Sequence, residues 1–195
     1  MVIFGGIDYR TGGGYVSYEV TKGGVGARPI KDGINAIGGP PANQMNTPVE
    51  ILEMSFPVRV EEYALIADSG GAGRWRGGLA ARRSWRILHH ESRCTTCCER
   101  TVTAPPGLDG GQAGAPAQTR MQLPDGTMQR VPSKGAFNAP DGALVILDVP
   151  GSGGFGAPAE RDPALVRRDL IDGYVTPEAV ARDYGLDPAR LLHQD

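Results

Sequence analysis

Apolar and polar positions alternate in several short stretches of this chain. From Gly14 to Thr21, Val16, Tyr18 and Val20 lie on one face and Ser17 and Glu19 on the other, the period-two pattern of a half-buried strand. From Val49 to Ile66, Val58, Val60, Tyr63 and Leu65 are interleaved with Arg59, Glu61 and Glu62, which predicts one long or broken strand whose place in a sheet is limited by Pro57. From Leu79 to Leu88, Trp85 and Ile87 alternate with Ser84 and Arg86, again as a strand. Thr119, Met121 and Leu123 precede Pro124-Asp125-Gly126, and Met128 and Val131 follow, which predicts a β-hairpin. Ala143 to Val149 is an almost continuous apolar run rich in branched residues, suited to a strand buried on both faces.

The period changes at Ala157. Asp162 can cap a helix opened by Pro163, with Leu165, Val166, Leu170 and Ile171 as its apolar stripe and Gly173 as its stop. Thr176 and Pro177 repeat the start signal, Val180, Ala181 and Tyr184 supply the face, and Gly185 ends it. Helices this short must dock on something to persist. The expected fold is therefore mainly β (α+β): a glycine-rich β body over 1–156 and a C-terminal pair of short helices in a tail over 157–195.

Composition supports many tight turns, with 29 Gly and 16 Pro in 195 residues. Residues 34–48, with Gly38-Gly39-Pro40-Pro41 and Asn46-Thr47-Pro48, read as an ordered loop crossing the domain, and 99–117 as turn-dense. A net charge of -2 excludes a general nucleic-acid surface, which needs an excess of Lys and Arg. No run approaches the roughly 18 apolar residues of a membrane span, and the start Met1-Val2-Ile3-Phe4 carries no basic region. The expectation is a soluble cytoplasmic chain. Cys94, Cys97 and Cys98 are clustered and odd in number, which argues against a disulfide framework and fits a reducing compartment.

The densest candidate chemistry lies in Asp68 to Gly78, where five glycines and two arginines share eleven residues. One reading lets the glycines bring backbone close to a ligand or neighbouring chain while Arg74 and Arg76 offer planar donors to a carboxylate or phosphate. The other is a structural corner, with glycines at positive φ, arginines paired to Asp68, Glu61 or Glu62, and Trp75 packed. The segment lacks the Lys-Ser or Lys-Thr ending of a P-loop, and Gly151 to Gly156 is followed by no dinucleotide-binding helix pattern.

His89, His90, Cys94, Cys97 and Cys98 invite a zinc reading, but no second, separated ligand pair accompanies them; buried small cysteines are the alternative. Asp32, Glu50, Glu53 and Asp68 could act as bases or ligands and Asn46 with Thr47 could donate to a carbonyl, or all could close local turns. Neither a Gly-x-Ser-x-Gly elbow nor a His-Glu-x-x-His pair is present.

Several unusual motifs recur together: Gly23-Gly24, Asp32-Gly33, Asn46-Thr47-Pro48-Val49-Glu50, Asp68 to Gly78 and Gly153 to Glu160. In that order they resemble the C-terminal part of the hydantoinase B/oxoprolinase family, the B-type subunits of N-methylhydantoinases, 5-oxoprolinases and acetone or acetophenone carboxylases. The resemblance implies ATP-dependent opening of a cyclic amide such as 5-oxoproline or a hydantoin, or ATP-dependent carboxylation of a ketone; a non-catalytic truncated or scaffold fragment is the third reading.

It further implies a hetero-oligomer with a hydantoinase A-like subunit and the missing N-terminal part of the B-type subunit, acting on a small-molecule substrate. ATP and a divalent metal would be held elsewhere in that assembly, none by this chain alone, which would be inactive by itself. The residues it points to at a substrate site or interface are Asn46, Thr47, Glu50, Asp68, Gly70, Gly71, Arg74 and Arg76, with no catalytic group assigned.

Overall fold

The computed structural model describes residues 1–39 and 44–193; Pro40 and Pro41 of the predicted crossing loop lie outside the described residues. Two antiparallel sheets form the body. One runs β2 (Gly14–Glu19), β1 (Val2–Ile7), β5 (Ser92–Cys97), β8 (Lys134–Ala139); the other runs β3 (Val58–Leu65), β4 (Ala81–Ile87), β9 (Leu144–Asp148), β6 (Gln118–Gln122), β7 (Met128–Arg130). Val2, Phe4 and Cys94 of the first sheet share a core with Trp85, Ile87, Met121, Val145 and Leu147 of the second. The Phe4 and Trp85 rings meet at 5.3 Å, tilted by 59°. With the helices below, the fold is mainly β of the α+β kind.

The predicted hairpin forms, pairing Met121 with Gln129 around Gly126 at φ 88°. The branched run pairs as β9 between β4 and β6, the interior position that its continuous hydrophobicity requires. β1 and β8 escape the alternation pattern because Gly5, Gly6 and Gly135 interrupt it.

Two local readings are corrected. Residues 49–66 are not one strand: Val49–Ser55 is a helix, α1, entered from Pro48 with Glu50 in its first turn and Leu52 buried beneath it. Proline fixes the entry, and a carboxylate suits the positive end of the helix. Phe56 turns extended before Pro57, and β3 starts at Val58, with a bulge between Val60 and Glu62. On β2 the faces are reversed from ordinary expectation: Ser17 and Glu19 point inward at 1% and 3% exposure, while Val16 and Tyr18 stand outside at 71% and 58%. Glu19 is held inward by Arg83 of β4.

Beside the sandwich lies a second kind of packing. Segments around residues 23–35, 69–79, 105–115 and 150–156 cross-link by backbone hydrogen bonds without joining either sheet. Examples are Val25 N–H to Ile34 O (2.9 Å), Ser152 N–H to Gly78 O (3.0 Å), Gly71 N–H to Ser152 O (2.8 Å) and Gly154 N–H to Gln112 O (3.0 Å). The glycines here serve close approach: a Cβ on Gly77 would land on the Ser152 carbonyl, and one on Gly153 on the Pro106 carbonyl.

The tail opens as predicted with α2 (Pro163–Ile171), whose cap Asp162 accepts from Ala164 N–H, and ends at Gly173 with φ 71°. α3 (Pro177–Ala179), capped by Thr176, widens into a π-type turn through Tyr184 and stops at Gly185 with φ 66°. A third helix, α4 (Pro188–Leu192), repeats the Asp-Pro start at Asp187-Pro188. Val166, Val175, Val180, Tyr184 and Leu191 pack together and against Ala72 of the glycine region. Among the described residues, no helix is long and apolar enough to cross a membrane.

Candidate functional site

Arg76, only 3% exposed, reaches from the glycine region into the tail. Its Nε lies 3.0 Å from Asp169 Oδ2, its Nη1 donates to Gly77 O at 2.7 Å, and its guanidinium sits 5.1 Å from the centre of the Tyr174 ring. Arg161 donates to both Asp32 oxygens, at 2.7 and 2.8 Å, and to Asp169 at 2.7 Å. Asp32 also accepts the Arg76 backbone N–H at 2.6 Å. Burial pushes the Asp32 carboxyl up, but Arg161 and the Arg76 N–H outweigh it and hold the group below its ordinary value. Two guanidinium groups and two carboxylates thus close a neutral quartet between body and tail.

The corner reading of this segment is therefore right in kind and wrong in detail. Arg76 pairs with Asp169 rather than Asp68, Glu61 or Glu62, and Gly70, Gly71, Gly73, Gly77 and Gly78 are not at positive φ. Gly70 and Gly71 face the Gly77 and Gln112 carbonyls, so their backbone approaches this chain itself. Asp68, at φ 59°, accepts from Thr176 N–H (2.8 Å) and Oγ1 (2.7 Å) and makes a second clasp on the tail. Arg74 is exposed, and its guanidinium makes no hydrogen bond among the described residues.

At the outer edge of β3, Asn46 Nδ2 donates to the Tyr63 hydroxyl at 2.8 Å. Arg83 points into the sandwich, with Nη1 at 2.8 Å from Glu19, Nη2 at 3.5 Å from Thr47 O, and its guanidinium 5.2 Å from the Tyr63 ring and 5.5 Å from Trp85. Burial raises the Glu19 carboxyl above its ordinary value by more than Arg83 lowers it.

Between this cluster and the quartet lies a cleft of about 360 Å³, lined by Asn35, Ala36, Tyr63, Ala64, Leu65, Ala81 and Tyr174. Tyr63 ties one end to Asn46, and Tyr174 ties the other to Arg76. Asn35 Oδ1 accepts from Leu79 N–H (2.9 Å) and Arg76 Nη1 (3.5 Å), which leaves its amide NH₂ as a donor. The cleft thus links Asn46 and Arg76, 30 positions apart, while Glu50 projects from α1 into solvent and Asp68 faces the tail. Apolar walls with a few polar groups suit a small, largely apolar ring bearing a carbonyl. They can hold and orient it; carboxylates and imidazoles are missing from the lining.

His90 is fixed by the Tyr15 hydroxyl (2.7 Å) and Leu88 O (2.9 Å), and burial pushes the Cys94 thiol up to about 11, so neither is poised as a nucleophile or ligand. Cys98 is buried and Cys97 exposed. Among the described residues, no three His, Cys, Asp or Glu side chains gather as metal ligands.

Reading the sequence missed Glu19, Asn35, Tyr63, Arg83, Arg161, Asp169 and Tyr174 as members of these clusters. For Arg83 a signal exists: it shares the parity of Trp85 and Ile87, which places a charge on a buried face. Arg161 and Asp169 lie only eight residues apart, but Asp32 and Arg76, which complete the quartet, are 129 positions from Arg161 and 93 from Asp169, so no local pattern marks them.

The model of the hydantoinase B/oxoprolinase family matches residues 1–158. The chain is 35% identical over 173 residues to an uncharacterized protein of Methanocaldococcus jannaschii, covering 89% of this chain and 30% of that one. It is 32% identical over 174 residues to the putative B subunit of a D-/L-hydantoinase of Pseudomonas sp. (strain NS671), covering 88% and 29%. It spans less than a third of the length of these curated relatives.

Among solved structures, the ATP-dependent caprolactamase from Pseudomonas jessenii superposes on 94% of this chain and 33% of its own with TM-score 0.80 and 28% identity. A nucleotide-free acetone carboxylase gives TM-score 0.80 over 94% of this chain and 29% of its own at 21% identity, a likeness of fold. With four-fifths of its residues matched by the family model and its motifs assembled in one fold, the chain belongs to the hydantoinase B/oxoprolinase family.

Proposed function

We propose that this chain supplies about one third of a hydantoinase B-like subunit in a cytoplasmic, ATP-dependent assembly that opens a cyclic amide, and that the cleft between Tyr63 and Tyr174 forms part of its substrate wall. The observation that carries this reading is the likeness over 94% of the chain to an ATP-dependent caprolactamase at 28% identity. A lactam is a compact ring with an apolar side and one amide, the shape and polarity that the cleft accommodates. Asn35 and the Asn46–Tyr63 pair would hold the amide, while Ala36, Ala64 and Leu65 would cover the methylene side.

Among the described residues, no three His, Cys, Asp or Glu side chains gather as a metal site. The buried arginines at the quartet are neutralised by Asp32 and Asp169, and no carboxylate or imidazole lines the cleft. We assign ATP and a divalent metal to a hydantoinase A-like partner and to the part of the B-type fold that this chain does not span. The role of this chain is then to shape and desolvate the site and to present amide and hydroxyl donors.

The test is co-expression with an A-like subunit and the complementary B-type segment, followed by ATP hydrolysis with 5-oxoproline, hydantoin and caprolactam. Turnover stimulated by a lactam and dependent on this chain is the expected result; turnover indifferent to its omission removes the reading. In the active assembly, Asn46→Ala with Tyr63→Phe should lower kcat/KM about tenfold, about 1.4 kcal/mol of transition-state binding, while folding stability moves by less than about 0.5 kcal/mol. An unchanged kcat/KM takes the cleft out of the substrate site.

A further inference from the structure

The outer face of the β2–β1 edge is apolar, whereas β2 turns polar residues to the inner face. Ile3 pairs with Tyr18, Gly5 with Val16 and Ile7 with Gly14, and paired residues in an antiparallel ladder share a face. Ile7, Val16 and Tyr18 are 59%, 71% and 58% exposed, whereas Ser17 and Glu19 on the opposite face are buried. A strand whose only other side is water selects the reverse arrangement. Gly5 adds a second observation. A Cβ there would meet nothing closer than 3.5 Å, so this chain's own packing does not demand glycine. Its absent side chain leaves the outer face low between Ile3, Ile7 and Val16 on one side and Arg93 of β5 on the other, a gap termed the Gly5 notch. β2 is also an edge strand, with no neighbour on its far side among the described residues.

We infer that this face and edge are the seat of the remainder of the B-type fold, with an apolar side chain of that segment entering the Gly5 notch and its backbone flanking β2. The inference rests on the proposed B-type role and names the surface that role requires. The occupant is argued from length: the chain fits 94% of itself onto 33% of the caprolactamase chain, so two thirds of that chain lie outside the part represented here and are the candidate for the open face. An edge strand with an exposed apolar face invites pairing when left open, and addition of a strand is a recurrent way to close such an edge.

The test uses this chain and the complementary two thirds of the Pseudomonas hydantoinase relative, co-expressed with an affinity tag on one of them, with complex formation measured by titration. Val16→Glu with Tyr18→Glu should weaken the complex at least about tenfold, with circular dichroism and Tm of the isolated chain unchanged. Met128→Glu, at an exposed apolar residue on the far edge strand β7, should leave the complex intact. Should the double variant fail to fold, Gly5→Leu takes its place: it fills the notch without charge and should weaken the complex by a similar factor.

Wild-type association that ignores both β2 and Gly5 substitutions overturns the docking surface while leaving the B-type role standing. No association of the wild-type chain overturns both. A homodimer of the isolated chain that the Val16 and Tyr18 substitutions dissociate also overturns the inference, since a second copy would then be the occupant.

Discussion

In the sandwich, Phe4, Trp85, Ile87, Val145 and Leu147 fill the space between two sheets with side chains; in the neighbouring bundle, Gly71, Gly77, Gly151 and Gly153 allow segments to pack with almost none. The first region gains stability from apolar area removed from water. The second gains it from backbone hydrogen bonds made at distances that only a missing Cβ permits. A sandwich core therefore tolerates a substitution of similar volume, while the bundle has no similar residue to offer. Gly77→Ala breaks or upholds this contrast most directly. Its Cβ would strike the Ser152 carbonyl, which is itself held in the network, so neither side can give way. The expected loss exceeds about 4 kcal/mol, seen as absence of a cooperative thermal transition. A loss of under about 1 kcal/mol would mean that the bundle is soft and the contrast wrong.

The next effect concerns how the bundle holds the tail. Asp169 is shared by Arg76 and Arg161, and all three are buried. Asp169→Asn leaves two guanidinium groups facing one remaining carboxylate, Asp32. Breaking a buried pair from one side costs about 3–5 kcal/mol, and urea denaturation should report a loss of that size. Limited proteolysis should cut first within residues 163–192. A loss below about 1 kcal/mol would show that the quartet is indifferent and that Val166, Val180 and Leu191 alone hold the tail.

Acid offers a smaller, graded version of the same test. The folded Asp32 carboxyl lies below its ordinary value, so its contribution is complete above the unfolded value of about 3.9 and is lost as pH falls through the folded one. Glu19 has the opposite sign. Its folded value is raised, so its contribution is complete below about 4.3 and is lost as pH rises through the folded value. Acidification from neutrality should first favour the sandwich at Glu19, and below about pH 4 it should loosen the tail joint. Amide exchange across α2 to α4 should accelerate before exchange in β4 and β9; the reverse order would contradict the assignment.

How much of this was legible in the sequence follows the same division. Where side chains make the contact, period and turn chemistry suffice: the Asp125-Gly126 hairpin, the buried run that forms β9, and the helices opened by Asp162-Pro163 and Thr176-Pro177. Where backbone or a distant charge makes it, they do not. α1 is hidden because Val49 to Ser55 is too short to show a helical period beside the alternating β3. Composition singles out Asp68 and Arg76, but not that they clasp the tail, through Thr176 and Asp169. The cleft was not foreseeable, since Asn35, Tyr63 and Tyr174 meet only after the sheet and the tail are in place.

The smallest expected effect lies at Gly26, where a built Cβ meets nothing within 4 Å and φ is not positive. Unlike Gly77, this glycine is not required by the packing of the isolated chain. Gly26→Ala should therefore leave stability unchanged or raise it by about 0.4–1 kcal/mol through the lower entropy of the unfolded chain, read as a small upward shift of Tm. A loss larger than about 1 kcal/mol would show that even the exposed arm of the bundle excludes side chains. The informative case is divergence: stability kept in the isolated chain but affinity or turnover lost in the reconstituted assembly. The open face at Gly26 would then be a surface that a neighbouring subunit approaches with its backbone, and close packing without side chains would extend beyond this chain into the interface.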